Sequence, residues 1–151
     1  MSKVYSEINN FLVRVFNGVL RTEEASLRTK EFKNLSIREM HIIEAVCEAN
    51  EYGKNTASEI ALSQKITGGT LTATISNLEK KGYVIRQRDE RDKRMVRILP
   101  TERGKTANEL HQTFHHEMVS KIISVLSGEE QTVFIKALAA VQRFLEEGKN
   151  L

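Results

Sequence analysis

Residues 67–99 decide the fold: Thr67-Gly68-Gly69-Thr70-Leu71-Thr72-Ala73-Thr74-Ile75-Ser76-Asn77-Leu78-Glu79-Lys80-Lys81-Gly82, then Tyr83-Val84-Ile85-Arg86-Gln87-Arg88, Asp89-Glu90-Arg91-Asp92-Lys93-Arg94 and Met95-Val96-Arg97-Ile98-Leu99. Leu71, Ile75 and Leu78 recur at helical spacing and so share one face. Thr67 is a capping residue, and a glycine after two lysines is what a helix C-terminus prefers. Two short runs rich in Val and Ile follow, one on either side of the charged turn 89–94, and together they predict a β-hairpin.

Upstream, two capping boxes mark two more helices. Ser36-Ile37-Arg38-Glu39 opens one that carries Ile37, Met40, Ile43, Val46 and Cys47 and ends near Asn50. Thr56-Ala57-Ser58-Glu59 opens a short one through Ile60, Ala61 and Leu62, after the turn Tyr52-Gly53-Lys54-Asn55. Further out, Val4, Ile8, Phe11, Leu12, Val15, Phe16, Val19 and Leu20 lay one apolar stripe on a long first helix, with an irregular charged stretch expected from Arg21 to Asn34. Downstream, Thr101 caps a long helix whose apolar face includes Ala107, Leu110, Phe114, Met118, Ile122 and Val125. A third box, Ser127-Gly128-Glu129-Glu130, opens a last helix with Val133, Phe134, Ala137, Leu138, Val141, Phe144 and Leu145. The expected class is therefore mainly α with a small β-hairpin. Two helices across a short turn, followed by a hairpin, form a winged helix-turn-helix, which presents its second helix to a major groove.

Composition agrees. The chain has 151 residues, one domain's worth, with 40% hydrophobic and 28% charged residues and a single proline. No run reaches 18 apolar residues, so no membrane partner is expected, and the N-terminal residues lack a signal-peptide core. Lone Cys47 makes no internal disulfide, which fits a cytoplasmic location. Net charge is only +3, yet residues 65–105 hold 11 Lys and Arg against 5 Asp and Glu, whereas both flanks are slightly acidic. A basic patch on a near-neutral chain is the footprint of a polyanion partner, although a solvated surface patch produces the same count.

The candidate DNA contacts are Thr67, Gly68, Gly69, Thr70, Thr72, Ala73, Ser76 and Asn77 on the recognition helix, with Arg88, Asp89, Arg91, Asp92, Lys93 and Arg94 on the hairpin. Small hydroxyl and glycine residues permit close approach to phosphates and base edges, and a helix N-terminus favours a phosphate. An ordinary capped surface helix is the plainer alternative. In the hairpin, Asp89 and Asp92 are expected to brace neighbouring guanidinium groups, leaving Arg91 and Arg94 to reach the nucleic acid. Arg86 and Arg97 would add to the phosphate field.

Leu78-Glu79-Lys80-Lys81-Gly82-Tyr83-Val84, Asp89-x-Arg91-Asp92-x-Arg94 and Thr101-x-x-Gly104 resemble the MarR family of bacterial transcriptional regulators along essentially the whole chain. Pro100 departs from the leucine usual before that threonine. The resemblance implies one MarR-type domain over 1–151, with 1–34 and 101–151 mainly dimerisation helices and 36–99 the DNA-binding region. It also implies a homodimer on a pseudo-palindromic operator in double-stranded DNA, usually as a repressor. Glu23-Glu24, Ser36-Ile37-Arg38-Glu39-Met40-His41, Thr70-Leu71-Thr72-Ala73-Thr74 and Leu110-His111-x-x-Phe114-His115-x-x-Met118-Val119 resemble one branch more than others. That branch represses fatty acid biosynthesis with long-chain acyl carrier protein as corepressor, its ligand pocket lying between the dimerisation helices and the winged region.

A second reading concerns zinc. His111 and His115 share a helical face, and His41 with Glu23 or Glu24 would complete a zinc-type ligand set, as in zinc-sensing members of the same family. Histidines bonded to carboxylates across a core account for the same pattern without metal, and no cofactor is expected. Cys47 lacks a sequence-near arginine or histidine to lower its pKa and reads as an inert core thiol. Enzyme readings fail: no nucleophile elbow accompanies Cys47, His111 and Glu117, and Gly68-Gly69 lacks phosphate-loop spacing.

Overall fold

The computed structural model describes residues 2–29 and 31–148; Met1, Lys30 and residues 149–151, on which parts of the terminal and irregular-stretch expectations fall, lie outside it. Six helices and one hairpin follow in the order α1 (Lys3–Leu27), α2 (Ile37–Glu51), α3 (Ala57–Ser63), α4 (Gly68–Lys80), β1 (Val84–Arg88), β2 (Val96–Pro100), α5 (Glu102–Ser124) and α6 (Gly128–Glu147). Two compact units divide the chain, Met1–Phe114 and His115–Leu151, with the boundary inside α5.

All three capping boxes are present. Ser36, Thr56 and Ser127 each accept the amide three residues on, and the glutamate there accepts the cap residue's own amide. Each box satisfies two donors that a helix start otherwise leaves orphaned. The first helix runs further than its apolar stripe predicts. Arg21 to Leu27 continue α1, so Glu23 and Glu24 are helical rather than part of an irregular stretch. The reason is tertiary: Glu23 and Leu27, four residues apart, are both buried, and that packing extends the helix beyond the polar sequence.

Unit 1 holds the core. Met40, Ile43 and Val46 of α2, Ile60 of α3, Leu71, Ile75 and Leu78 of α4, and Tyr83, Val84 and Ile98 of the hairpin are all buried, with Leu27, Phe32 and Ala107. Burying an aliphatic side chain contributes about 1.5–3 kcal/mol, so this cluster fixes α4 against α2 and α3. The two strands pair antiparallel with Arg86 opposite Ile98 and Arg88 opposite Val96. Just before α5, Thr101 donates its hydroxyl to the Gly82 carbonyl, and its backbone amide bonds the Tyr83 carbonyl. The Thr101 oxygen also accepts the Gly104 amide. A Cβ on Gly104 would lie 2.2 Å from the Tyr83 carbonyl oxygen, so this helical turn passes the residue just ahead of β1 at a distance only glycine permits. The Thr101-x-x-Gly104 spacing thus has a local cause.

In unit 2, α6 buries none of its residues; Val133, Ile135, Leu138, Phe144 and Leu145 are exposed. In unit 1 the α1 stripe, including Phe11 and Phe16, is likewise exposed. Among the described residues no helix is long and apolar enough to cross a membrane.

Candidate nucleic-acid interface

The α3–α4 pair forms the helix-turn-helix. Between the two helices Lys65 takes a positive φ of 54°, and Ile66 returns its amide to the Ala61 carbonyl. Thr67 caps α4 by accepting the Thr70 amide at 3.1 Å, and the two threonine hydroxyls bond each other at 2.9 Å. Leu71, Ile75 and Leu78 point inward. Thr67, Gly68, Gly69, Thr70, Thr72, Ala73 and Asn77 are exposed, and nothing lies within 4 Å of where a Cβ would stand on either glycine. The first two turns of α4 therefore offer backbone amides, small hydroxyls and no bulk.

Ser76 and Arg86 sit differently. The Arg86 guanidinium donates to the Ser76 hydroxyl at 3.0 Å, to the Thr72 carbonyl at 3.0 Å and to Glu79 at 3.2 Å. Arg86 thus clamps α4 to β1 and is engaged internally rather than held out toward a phosphate. Glu79 also accepts the Arg86 amide, which ties the strand's start to the recognition helix.

The hairpin is organised from within. Asp89 Oδ1 accepts the backbone amides of Arg91 and Asp92, and its Oδ2 accepts Arg97 Nε at 2.6 Å. Arg97 in turn donates to Asn55 Oδ1 at 2.7 Å, Asn55 donates to Asn50 Oδ1 at 2.6 Å, and Asn50 donates to the Ile98 carbonyl at 2.9 Å. Asp89 therefore braces Arg97 across the hairpin instead of a neighbouring arginine, and Arg97, expected among the phosphate contacts, is built into the frame. These bonds, the Asp92 amide first, then the Arg97 guanidinium and the Arg91 amide, hold the Asp89 carboxyl down at about 2. Asp92 takes Arg94 through both its amide and its Nε, at 3.1 and 3.2 Å, while the Arg94 side chain stays 92% exposed. Arg88, Arg91 and Lys93 are exposed as well, with Glu90 between them. Four cations are thus displayed on a turn whose shape is set by two aspartates. No sequence pattern singled out Asn50 and Asn55, because their partners lie 48 and 42 residues away.

Glu23 is only 3% exposed and lies 3.5 Å from His41 Nε2. The rings of His41 and His111 are 5.5 Å apart, and Glu23 and His111 offer ligand atoms within 4.8 Å of each other. Fully buried His111 also places Nε2 3.3 Å from Glu44, a partner that spacing did not indicate. Glu24 is exposed, so Glu23 is the carboxylate of the pair that faces this cluster. His115 follows His111 by one turn of α5, and His116 is exposed. Burial, then Glu51, raise the Cys47 thiol to about 11, so it is protonated at neutral pH.

A buried three-helix scaffold, an unobstructed helix N-terminus and a cationic hairpin define a winged-helix DNA-binding regulator. The comparisons agree. A family model described as "Transcriptional regulator SarA/Rot" matches residues 26–113. FabT of Streptococcus pneumoniae, solved in complex with DNA, is 41% identical; the match covers 95% of this chain and 98% of FabT at a TM-score of 0.86. The transcriptional repressor YetL of Bacillus subtilis is 27% identical over 106 residues, 70% of this chain. YcgE of Bacillus subtilis, a helix-turn-helix-type regulator, is 43% identical over 51 residues, 34% of this chain. The chain spans less than two thirds of these curated relatives, 63% of YetL and 33% of YcgE. It belongs to the SarA/Rot family of transcriptional regulators.

Proposed function

We propose that this chain is a homodimeric repressor that reads a pseudo-palindromic operator. Two recognition helices enter successive major grooves through Thr67, Gly68, Gly69, Thr70, Thr72, Ala73 and Asn77, and the hairpins carry Arg88, Arg91, Lys93 and Arg94 to the flanking backbone or minor groove. In this reading Ser76, Asp89 and Asp92 act at the interface by positioning Arg86 and the turn. The observation that carries it is the open, glycine-bearing first turn of α4 together with the four exposed cations of the hairpin. The exposed stripes of α1 and α6 support the dimer, since apolar surface of that extent is normally covered by a partner. Replacing Arg91 and Arg94 together by alanine is expected to weaken operator binding and to lower the salt slope by about one per lost phosphate contact. Wild-type affinity and slope in that double variant refute the hairpin assignment.

The regulated genes in this reading are those of fatty acid biosynthesis, with long-chain acyl carrier protein as corepressor; the motif resemblance and the 41% identity to FabT support it. Operator binding to DNA upstream of such genes, measured with and without the acylated carrier, tests it. Tightening by the acylated carrier is the expected result, and indifference to it overturns this part.

A second reading is favoured by one observation, the convergence of Glu23, His41 and His111 inside unit 1. Imidazole and carboxylate are residue types that suit a zinc site. A zinc-dependent change in operator affinity, reversed by chelator and absent in His111→Gln, would select that reading over the acyl one.

A further inference from the structure

A cavity of about 370 Å³ opens between the second half of α2 and the first half of α5, lined by none of the recognition-helix residues and none of the histidines. Its wall includes Cys47, Glu51, Lys105, Asn108, Glu109 and Gln112. Asn108 is 8% exposed, and its Oδ1 finds no hydrogen-bond partner among the described residues. An unsatisfied buried acceptor costs about 1–3 kcal/mol, so it marks a place where a donor belongs.

One water, which occupies about 30 Å³ of liquid volume, leaves most of this space unfilled. Charge narrows the choice. Glu51 and Glu109 present two carboxylates, whereas the one cation on the wall, Lys105, bonds Glu102 at 2.8 Å. The balance is anionic and disfavours an acidic ligand. Among the described residues no third His, Cys or carboxylate ligand converges with these two, so the arrangement does not fit a metal ion. Cys47, protonated, contributes an apolar patch.

We infer that this cavity binds a small organic ammonium compound, its N–H groups donating to Asn108 Oδ1 and to the carboxylates of Glu51 and Glu109, its short carbon body lying against Cys47. The size is at the lower end of small-molecule sites and has room for an ammonium group with a carbon body attached.

Calorimetric titration of the whole protein with 1,4-diaminobutane, without DNA, tests this independently of any operator reading. Saturable binding is expected, at least tenfold weaker for uncharged 1,4-butanediol. Exposed Glu51 and Glu109 can be changed without disturbing the core, so Glu51→Gln with Glu109→Gln is expected to lose at least tenfold in affinity while keeping the wild-type melting temperature. Asn108→Leu is expected to abolish binding. Amide shifts on titration should cluster at 47–51 and 105–112. No saturable binding of the diamine, equal binding of the diol, or an unchanged affinity in the double-glutamine variant overturns the assignment.

Discussion

Gly104 shows how a single missing methyl group sets a helix in place. Because an added Cβ would meet the Tyr83 carbonyl at 2.2 Å, Gly104→Ala forces α5 away from β1 and strains the Thr101 bonds beside it. Overpacking of this kind costs about 1–3 kcal/mol, so a lower chemical-denaturation midpoint is expected without loss of helical circular dichroism. Asp89 makes the matching electrostatic case. Its carboxyl is held near 2, below the ordinary 3.8, so its contribution to stability is complete above pH 3.8 and disappears as pH falls through about 2. Asp89→Asn should therefore flatten the acid side of the stability curve, checked by thermal melts between pH 2 and 6. Cys47 gives a third expectation. With its pKa raised to about 11, it should react with maleimide at pH 7 more slowly than a free thiol, and the rate should keep rising well above pH 9.

At the scale of elements, caps matter most where helices are short. The seven-residue α3 cannot stand on propensity, and it starts on Thr56, whose side chain accepts the Glu59 amide and donates to the Glu59 carboxylate. Thr56→Ala is expected to cost about 1 kcal/mol and to loosen the helix-turn-helix, measured by amide hydrogen exchange over 57–66. Such elements were legible in the sequence because their signals are local: a threonine or serine, a glutamate three residues on, and apolar spacing behind them. The hairpin and the inward face of α4 were legible for the same reason. What was not legible depends on contacts made at a distance. The end of α1 was hidden because Glu23 reads as a loop residue until its burial beside His41 is known. The roles of Arg86 and Arg97 were hidden because a strand's alternation does not tell whether an arginine meets solvent or a carboxylate. Arg86 meets Glu79 and Arg97 meets Asp89, pairings that only the fold reveals.

For the whole molecule, the unsatisfied surfaces are the guide. Phe11 and Phe16 of α1 are 71% and 65% exposed in the single chain, and a second copy is the proposed cover. Sedimentation at micromolar protein is expected to give a dimer, and Phe11→Glu with Phe16→Glu a monomer of unchanged helix content. If the proposed dimer reads two half-sites together, the monomer should lose operator affinity far more than it loses non-specific binding to DNA. A monomeric wild type, or a double variant that stays dimeric, counts against α1 as the interface.

The frame that runs from Asn50 through Asn55 and Arg97 to Asp89 sorts the hairpin's ions into two populations. One is masonry, engaged within the chain and dictating the curve of the turn. The other, Arg88, Arg91, Lys93 and Arg94, is display, supported by that masonry but contributing little to it. On the proposed reading, a regulator built this way can change what its hairpin contacts by exchanging the displayed side chains, one at a time, without re-solving its folding problem. Transplanting a foreign set of residues into positions 88, 91, 93 and 94 should therefore redirect DNA preference, whereas the same exchange at 89 or 97 should dismantle the instrument that does the reading.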